Sequence, residues 1–320
     1  MVWNLAALIA ADCGMPSLAA SLCERQFHIF HAAWPVTGRT AIASLQPLVN
    51  LARLTHRAGD PHDAYQALCT MNHAVHHGGN ALIHGAAISF DHFVATHADR
   101  HEAATWLRAI MLEDGTRLLA TTGHWTRAAE HAALYDDASE HLRESRQTRI
   151  IGNLYNGHTG SALATLEASV TTDPWERAVA ACLRSYIDLH TNQLTPQGIA
   201  RALEMVRHAR QSPGQDTTHF HFRLGLTAVD LATETCPGHA EALCAELIRD
   251  AAESGDAFAA REVLRHNTAR EQMTPAERET LNTLVHRSGL GHGSLPPPLL
   301  TDLLAAVEST EDVLIRTLRT

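Results

Sequence analysis

Apolar residues recur at three- and four-residue spacing along nearly the whole chain. Over 41–57, Leu45, Leu48, Val49, Ala52 and His56 fall on one face of a 3.6-residue period, while Gln46, Asn50, Arg53 and Arg57 fall on another. Trp106, Ile110, Leu118 and Leu119 repeat the pattern over 104–121. The period-two alternation that marks half-buried strands is nearly absent. The pattern predicts amphipathic helices over more than about two-thirds of the chain and essentially no sheet, against roughly one-third helix in an average protein.

Punctuation fits the same picture. Asp173-Pro174-Trp175-Glu176 and Thr274-Pro275-Ala276-Glu277 each supply a capping residue, a proline at the first helical position and a glutamate at the third, and Thr195-Pro196-Gln197 is a weaker version. Capping accounts for these carboxylates without any catalytic role. Breaks are expected at Gly14, Gly59, Gly123, Gly157 and Gly255, and an alanine follows each by five residues: Ala19, Ala64, Ala128, Ala162 and Ala260. The segments 78–85 and 211–218 read as loops. Ser288–Pro298, with three glycines and three prolines, reads as a linker to a C-terminal helix at 299–308.

A glycine that ends one helix, followed by a small residue inside the next, resembles the turn of tetratricopeptide-type helix hairpins. Gly123 and Gly157 lie 34 residues apart, the period of that repeat. The resemblance covers 1–270 in style and about 123–170 in repeat spacing. The chain is also similar to the helical-repeat regions of actinobacterial regulators, although no DNA-binding domain is expected ahead of Trp3. The fold class this implies is all-α, an irregular tetratricopeptide-like α-solenoid of antiparallel helix pairs. Residues 1–288 would form the array, and 289–320 the Gly/Pro linker and C-terminal capping helices.

Composition narrows the partners. With 320 residues, the chain is long for one compact core, so two domains or an extended array are expected. Aromatics make up 5%, and small or straight-chain apolar residues suit close helix packing. The net charge of −10 argues against direct nucleic-acid binding and against an anionic membrane surface. All 25 basic residues are arginine, a bias that a GC-rich genome accounts for. The six cysteines are scattered without a Cys-x-x-Cys pair and read as reduced, mostly buried residues. The start, Met1-Val2-Trp3-Asn4, lacks a basic leader and no stretch approaches the ~20 apolar residues of a membrane span, so a cytoplasmic protein is expected.

Candidate chemistry is sparse. Phosphate loops, dinucleotide fingerprints and nucleophile elbows are missing, and no cofactor is expected. Among 23 histidines, His73 and His77 sit one helical turn apart, but the pair lacks the glutamate of a zinc-hydrolase helix and a third ligand, so no metal site is expected. Asp136, Asp137 and Glu140 beside His141 read as a solvated helix end. The stronger signal is polar rows in otherwise apolar helices: Gln46, Asn50 and Arg53; Asp114 with Arg117; Arg177, Arg184 and Asp188; and His219, Arg223, Thr227 and Asp230. In tetratricopeptide-type arrays such rows line the concave face.

The resemblance therefore implies a binding or scaffold protein. Its groove would take a peptide, a partner protein or a small anionic ligand, with Gln46, Asn50, Arg53, Asp114, Arg117, Arg184, His219, Arg223 and Asp230 as ligand-binding residues. An alternative is a mostly helical enzyme, or an accessory factor of a biosynthetic pathway, using His and Asp as acid and base. Another is a ligand-sensing domain detached from its DNA-binding partner, for which a homodimer face at one end of the array is expected.

Overall fold

The computed structural model describes residues 2–136, 139–211 and 218–318. Helix takes up 77% of them, so the all-α expectation holds. The chain forms two compact units, Met1–Asp136 with Gly291–Thr320, and Asp137–Leu290. The C-terminal segment thus belongs with the N-terminal helices, rather than forming a separate cap after 288.

The first unit contains α1 (Val2–Asp12), α2 (Pro16–His31), α3 (Gly38–Arg57), α4 (Pro61–His77), β1 (Asn80–Ile83), β2 (Ala86–Ser89), α5 (His97–Ile110), a π-helical turn (Met111–Gly115), α6 (Thr116–Thr121) and α7 (Trp125–Tyr135). The second contains α8 (Glu144–Tyr155), α9 (Thr159–Glu167), α10 (Pro174–His190), α11 (Pro196–Gln211), α12 (Thr218–Ala232), α13 (Pro237–Ser254), α14 (Ala257–Arg265), α15 (Asn267–Gln272) and α16 (Pro275–Ser288). The last helix, α17 (Pro297–Leu318), packs on α1 and α2 in the first unit. Among the described residues no helix is long and apolar enough to cross a membrane.

Within each unit, α1 packs on α2, α3 on α4, α6 on α7, α8 on α9 and α13 on α14, and the five predicted breaks explain how. Gly14, Gly59, Gly123, Gly157 and Gly255 all take a left-handed φ between +69° and +97° at a helix end. The alanine five residues later is in every case wholly buried. A methyl side chain lets the returning helix approach its partner closely, so the five pairs are a packing device. The prolines read as helix starts do open α10, α11 and α16, and Thr274 with Glu277 forms a reciprocal capping box.

Two expectations are corrected. The segment read as a loop at 78–85 instead enters an antiparallel hairpin, with Ile83 opposite Ala86. His84 and Gly85 both have positive φ, as a two-residue turn of type I′ requires. Ala81, Ile83 and Ile88 point inward, next to Phe90 and Phe93, which pack against Trp34 with ring centroids 5.2 and 5.0 Å away. The C-terminal helix is longer than 299–308. The stretch before it docks on the end of α1, where the Gly291 and Gly293 amides donate to the carbonyls of Asp12 and Cys13 at 2.9 and 2.8 Å. A β-carbon on Gly14 would meet the Gly293 amide at 3.0 Å, so only glycine permits that approach. Of the expected loop at 211–218, residues 212–217 lie outside the described residues, as does Asp137 of the acidic cluster.

Enlarging a packing alanine should overfill its helix interface. Ala162→Leu is expected to lower stability by about 1–3 kcal/mol, the usual range for overpacking, read as a fall in the denaturation midpoint. An unchanged midpoint would show that α8 and α9 are not closely packed.

Candidate functional site

The site begins with a local irregularity. α5 runs to Ile110, the chain widens into the π turn Met111–Gly115, and α6 resumes at Thr116. Single π turns inside helices are uncommon and cluster at functional sites. Here the cause can be read from α7. His131, almost fully buried, packs so closely on Gly115 that a β-carbon there would lie 2.5 Å from its Nε2. Nε2 also lies 2.7 Å from the Met111 carbonyl. A carbonyl can only accept, so Nε2 carries the proton, and Nδ1, 3.0 Å away, accepts from the Tyr65 hydroxyl. Burial holds the pKa of His131 below the usual histidine value, against the opposing effect of its bond to Met111.

The π turn presents Asp114, 6% exposed, toward α3. Arg53 donates to its Oδ2 from Nε at 2.9 Å and brings Nη2 within 2.7 Å of the same oxygen as an ion pair, and Arg117 reaches Oδ1 at 3.5 Å. Arg53 also directs Nη1 toward Asn50 at 3.4 Å. Both guanidinium groups remain about half exposed, whereas the carboxylate between them is buried. A buried charge of this kind is stable only when paired and hydrogen-bonded.

These groups line a cleft of about 790 Å³ bounded by α1, α3, the end of α5 and the π turn. Its apolar walls are Leu5 and Leu8 of α1, Val49 and Leu54 of α3, and Trp106 and Ile110 of α5. Leu5 and Leu8 are 55% and 49% exposed, unusually open for leucines of a packed helix. Gln46, Asn50, Arg53, Asp114 and Arg117, two separate rows in the sequence, all line this one cleft. Arg57 joins them and pairs with Asp12 at 2.8 Å. A smaller cavity of about 170 Å³ shares Arg53, Arg57, Asp114 and Arg117 and adds His56, whose Nδ1 is buried without a partner. Cys23 also lines the larger cleft; burial pushes its thiol up to about 12, so it behaves as an apolar wall.

The remaining expected site residues lie in the second unit. Arg184 holds Asp188 at 3.1 Å and Glu167 at 3.5 Å on an exposed face. Arg223 is 4.0 Å from Glu262, and Asp230 Oδ1 lies 3.0 Å from His266 Nε2. His219 stands edge-on to Phe258, with Nδ1 buried and unpartnered. His73 and His77 lie side by side on α4 with ring centroids 4.8 Å apart and planes tilted by 49°. Among the described residues, no three His, Cys, Asp or Glu side chains gather in a way that could hold a metal ion.

Sequence reasoning missed Gly115, His131 and Tyr65. A glycine after Glu113-Asp114 inside a helical pattern was the available signal, but nothing in the chain marks His131 as its neighbour. It also read Glu176 as a cap alone. The structure adds a bond from the half-exposed His141, whose Nδ1 lies 3.0 Å from Oε1 of the buried Glu176. Burial pushes Glu176 up, but the Asp173 amide, His141 and Thr172 outweigh it and hold the carboxyl below its usual range.

The two arginine rows should differ in energetic weight. Arg53→Ala strips the main partner from a buried carboxylate and is expected to destabilise by about 1–3 kcal/mol. Arg184→Ala breaks an exposed pair and should cost about 0–1 kcal/mol. Equal losses on chemical denaturation would contradict the burial of Asp114.

No family model matches the chain, and no curated protein or solved structure matches it either.

Proposed function

We propose that the chain is a helical binding protein whose N-terminal unit holds a small amphiphilic anion in the cleft between α1, α3 and the π turn. The observation that carries this reading is the convergence of Arg53, Arg57 and Arg117 at one cleft with open apolar walls. A volume of about 790 Å³ falls within the roughly 300–1,000 Å³ of small-molecule sites, which favours a small ligand over a peptide or a partner protein. Guanidinium groups recognise carboxylate, sulfonate or phosphate through paired N–H donors. Asp114 keeps two of them in place without filling the cleft. Leu5, Leu8, Trp106 and Ile110 then supply a surface for an apolar body.

A suitable probe is 8-anilinonaphthalene-1-sulfonate, which joins an aromatic body to a permanent anion. Titration should show one saturable site on the folded protein, with energy transfer from tryptophan that falls in Trp106→Phe. Arg53→Ala and Arg117→Ala should each weaken binding about tenfold or more, because a charge-assisted bond contributes roughly 1.5–3 kcal/mol. Wild-type affinity in both arginine variants would remove the reading.

A further inference from the structure

We infer that His131 is the positioning residue of the cleft, acting through the π turn that carries Asp114. The inference rests on the proposed anion site, and deepens it by naming the part that sets the affinity. His131 touches neither the cleft nor a ligand. It comes from α7, takes the Met111 carbonyl at 2.7 Å and packs on the bare backbone of Gly115. Those two contacts grip both ends of the π turn. Asp114, one residue before Gly115, is thereby carried beneath Arg53 and Arg117.

A regular α turn at 111–115 would rotate the residues that follow by one position. The carboxylate would then leave the guanidinium groups, and Arg53 would regain its rotamer freedom. Ordering that side chain again on binding would weaken a ligand by about three- to tenfold.

The imidazole is also fully engaged. Nε2 donates to Met111, Nδ1 accepts from Tyr65, and a second proton can enter only at Nδ1, which requires the Tyr65 hydroxyl to turn its hydrogen toward Cys69. The groups around it offer no compensating anion. From α4 come Tyr65 and Cys69, both raised by burial and therefore neutral. On α7 itself are Tyr135, likewise raised by burial, and Arg127. On the π turn, Glu113 and Asp114 face the cleft, and Asp114 is held by Arg53 and, from α6, by Arg117. Protonation strengthens the bond to Met111 but leaves a buried cation, and because the cost of burying it outweighs that bond, the packing of His131 on the π turn should loosen. Because burial depresses the pKa of His131, the folded state resists the proton that the unfolded chain takes up below about 6.5. The stability it contributes is present above that value and is lost as the pH falls below it.

The test uses the full chain with 8-anilinonaphthalene-1-sulfonate, whose charge does not change over this range. Affinity of the wild type should hold near pH 7.5 and fall about three- to tenfold only once the pH is taken below the ordinary histidine value and His131 is protonated in the folded chain, the weakening expected when the arginine must be re-ordered. His131→Gln, which can still donate to Met111 and accept from Tyr65, should bind near the wild-type level and lose the pH dependence. His131→Phe should bind weakly at every pH. Independently of any ligand, hydrogen exchange at amides 111–116 should quicken in His131→Phe while α1–α3 stay protected. The inference is overturned if His131→Gln keeps the wild-type pH profile, or if His131→Phe leaves both affinity and exchange unchanged. Failure of the anion site shows differently: Arg53→Ala would then bind like the wild type, and the exchange arm alone would read whether His131 holds the turn.

Discussion

Asp114 is a carboxylate buried at the floor of a cleft, and the arrangement around it follows from that. Removed from water, it requires strong donors, and it obtains a hydrogen bond and a close ion pair from Arg53 and a longer contact from Arg117. Those donors come from α3 and α6, while Asp114 sits on the π turn between α5 and α6. One ion pair therefore ties α3 to the irregular turn. It also leaves two half-exposed guanidinium groups facing an apolar-walled cavity, the arrangement on which the proposed anion site rests.

The frame that allows this is made of very small side chains. Ala19, Ala64 and Ala128 bring successive helices of the first unit close together, and Ala162 and Ala260 do the same in the second. α1 is held at its C-terminal end by the Gly291 and Gly293 amides. It can then present Leu5 and Leu8 to the cleft instead of burying them. The hairpin of β1 and β2, anchored by Phe90 and Phe93 on Trp34, packs on α4 and joins no larger sheet among the described residues.

Much of the fold was legible because helix signals are local. Amphipathic spacing, prolines at helix starts and glycine–alanine pairs each act within a few residues, and all of them reappear in the structure. So does the cleft row: Gln46, Asn50 and Arg53 share a face of α3 because seven residues span two turns. The π turn was not legible, because what packs on it lies across the fold, in a histidine twenty positions after Met111 with no sequence link to it. The hairpin escaped notice because His84-Gly85 is an unusual pair for a type I′ turn, where asparagine or aspartate normally precedes glycine. The pairing of Glu176 with His141 was hidden likewise, since a capping box already accounts for the glutamate.

The central claim is that Arg53 and Asp114 act as one unit across the cleft. A double-mutant cycle of Arg53→Met and Asp114→Asn, followed by chemical denaturation, measures that coupling directly. A hydrogen-bonded ion pair with its carboxylate buried should give an interaction energy of about 1 kcal/mol or more, within the 0.5–3 kcal/mol range of residues in contact. Additive losses, with an interaction energy near zero, would contradict the account.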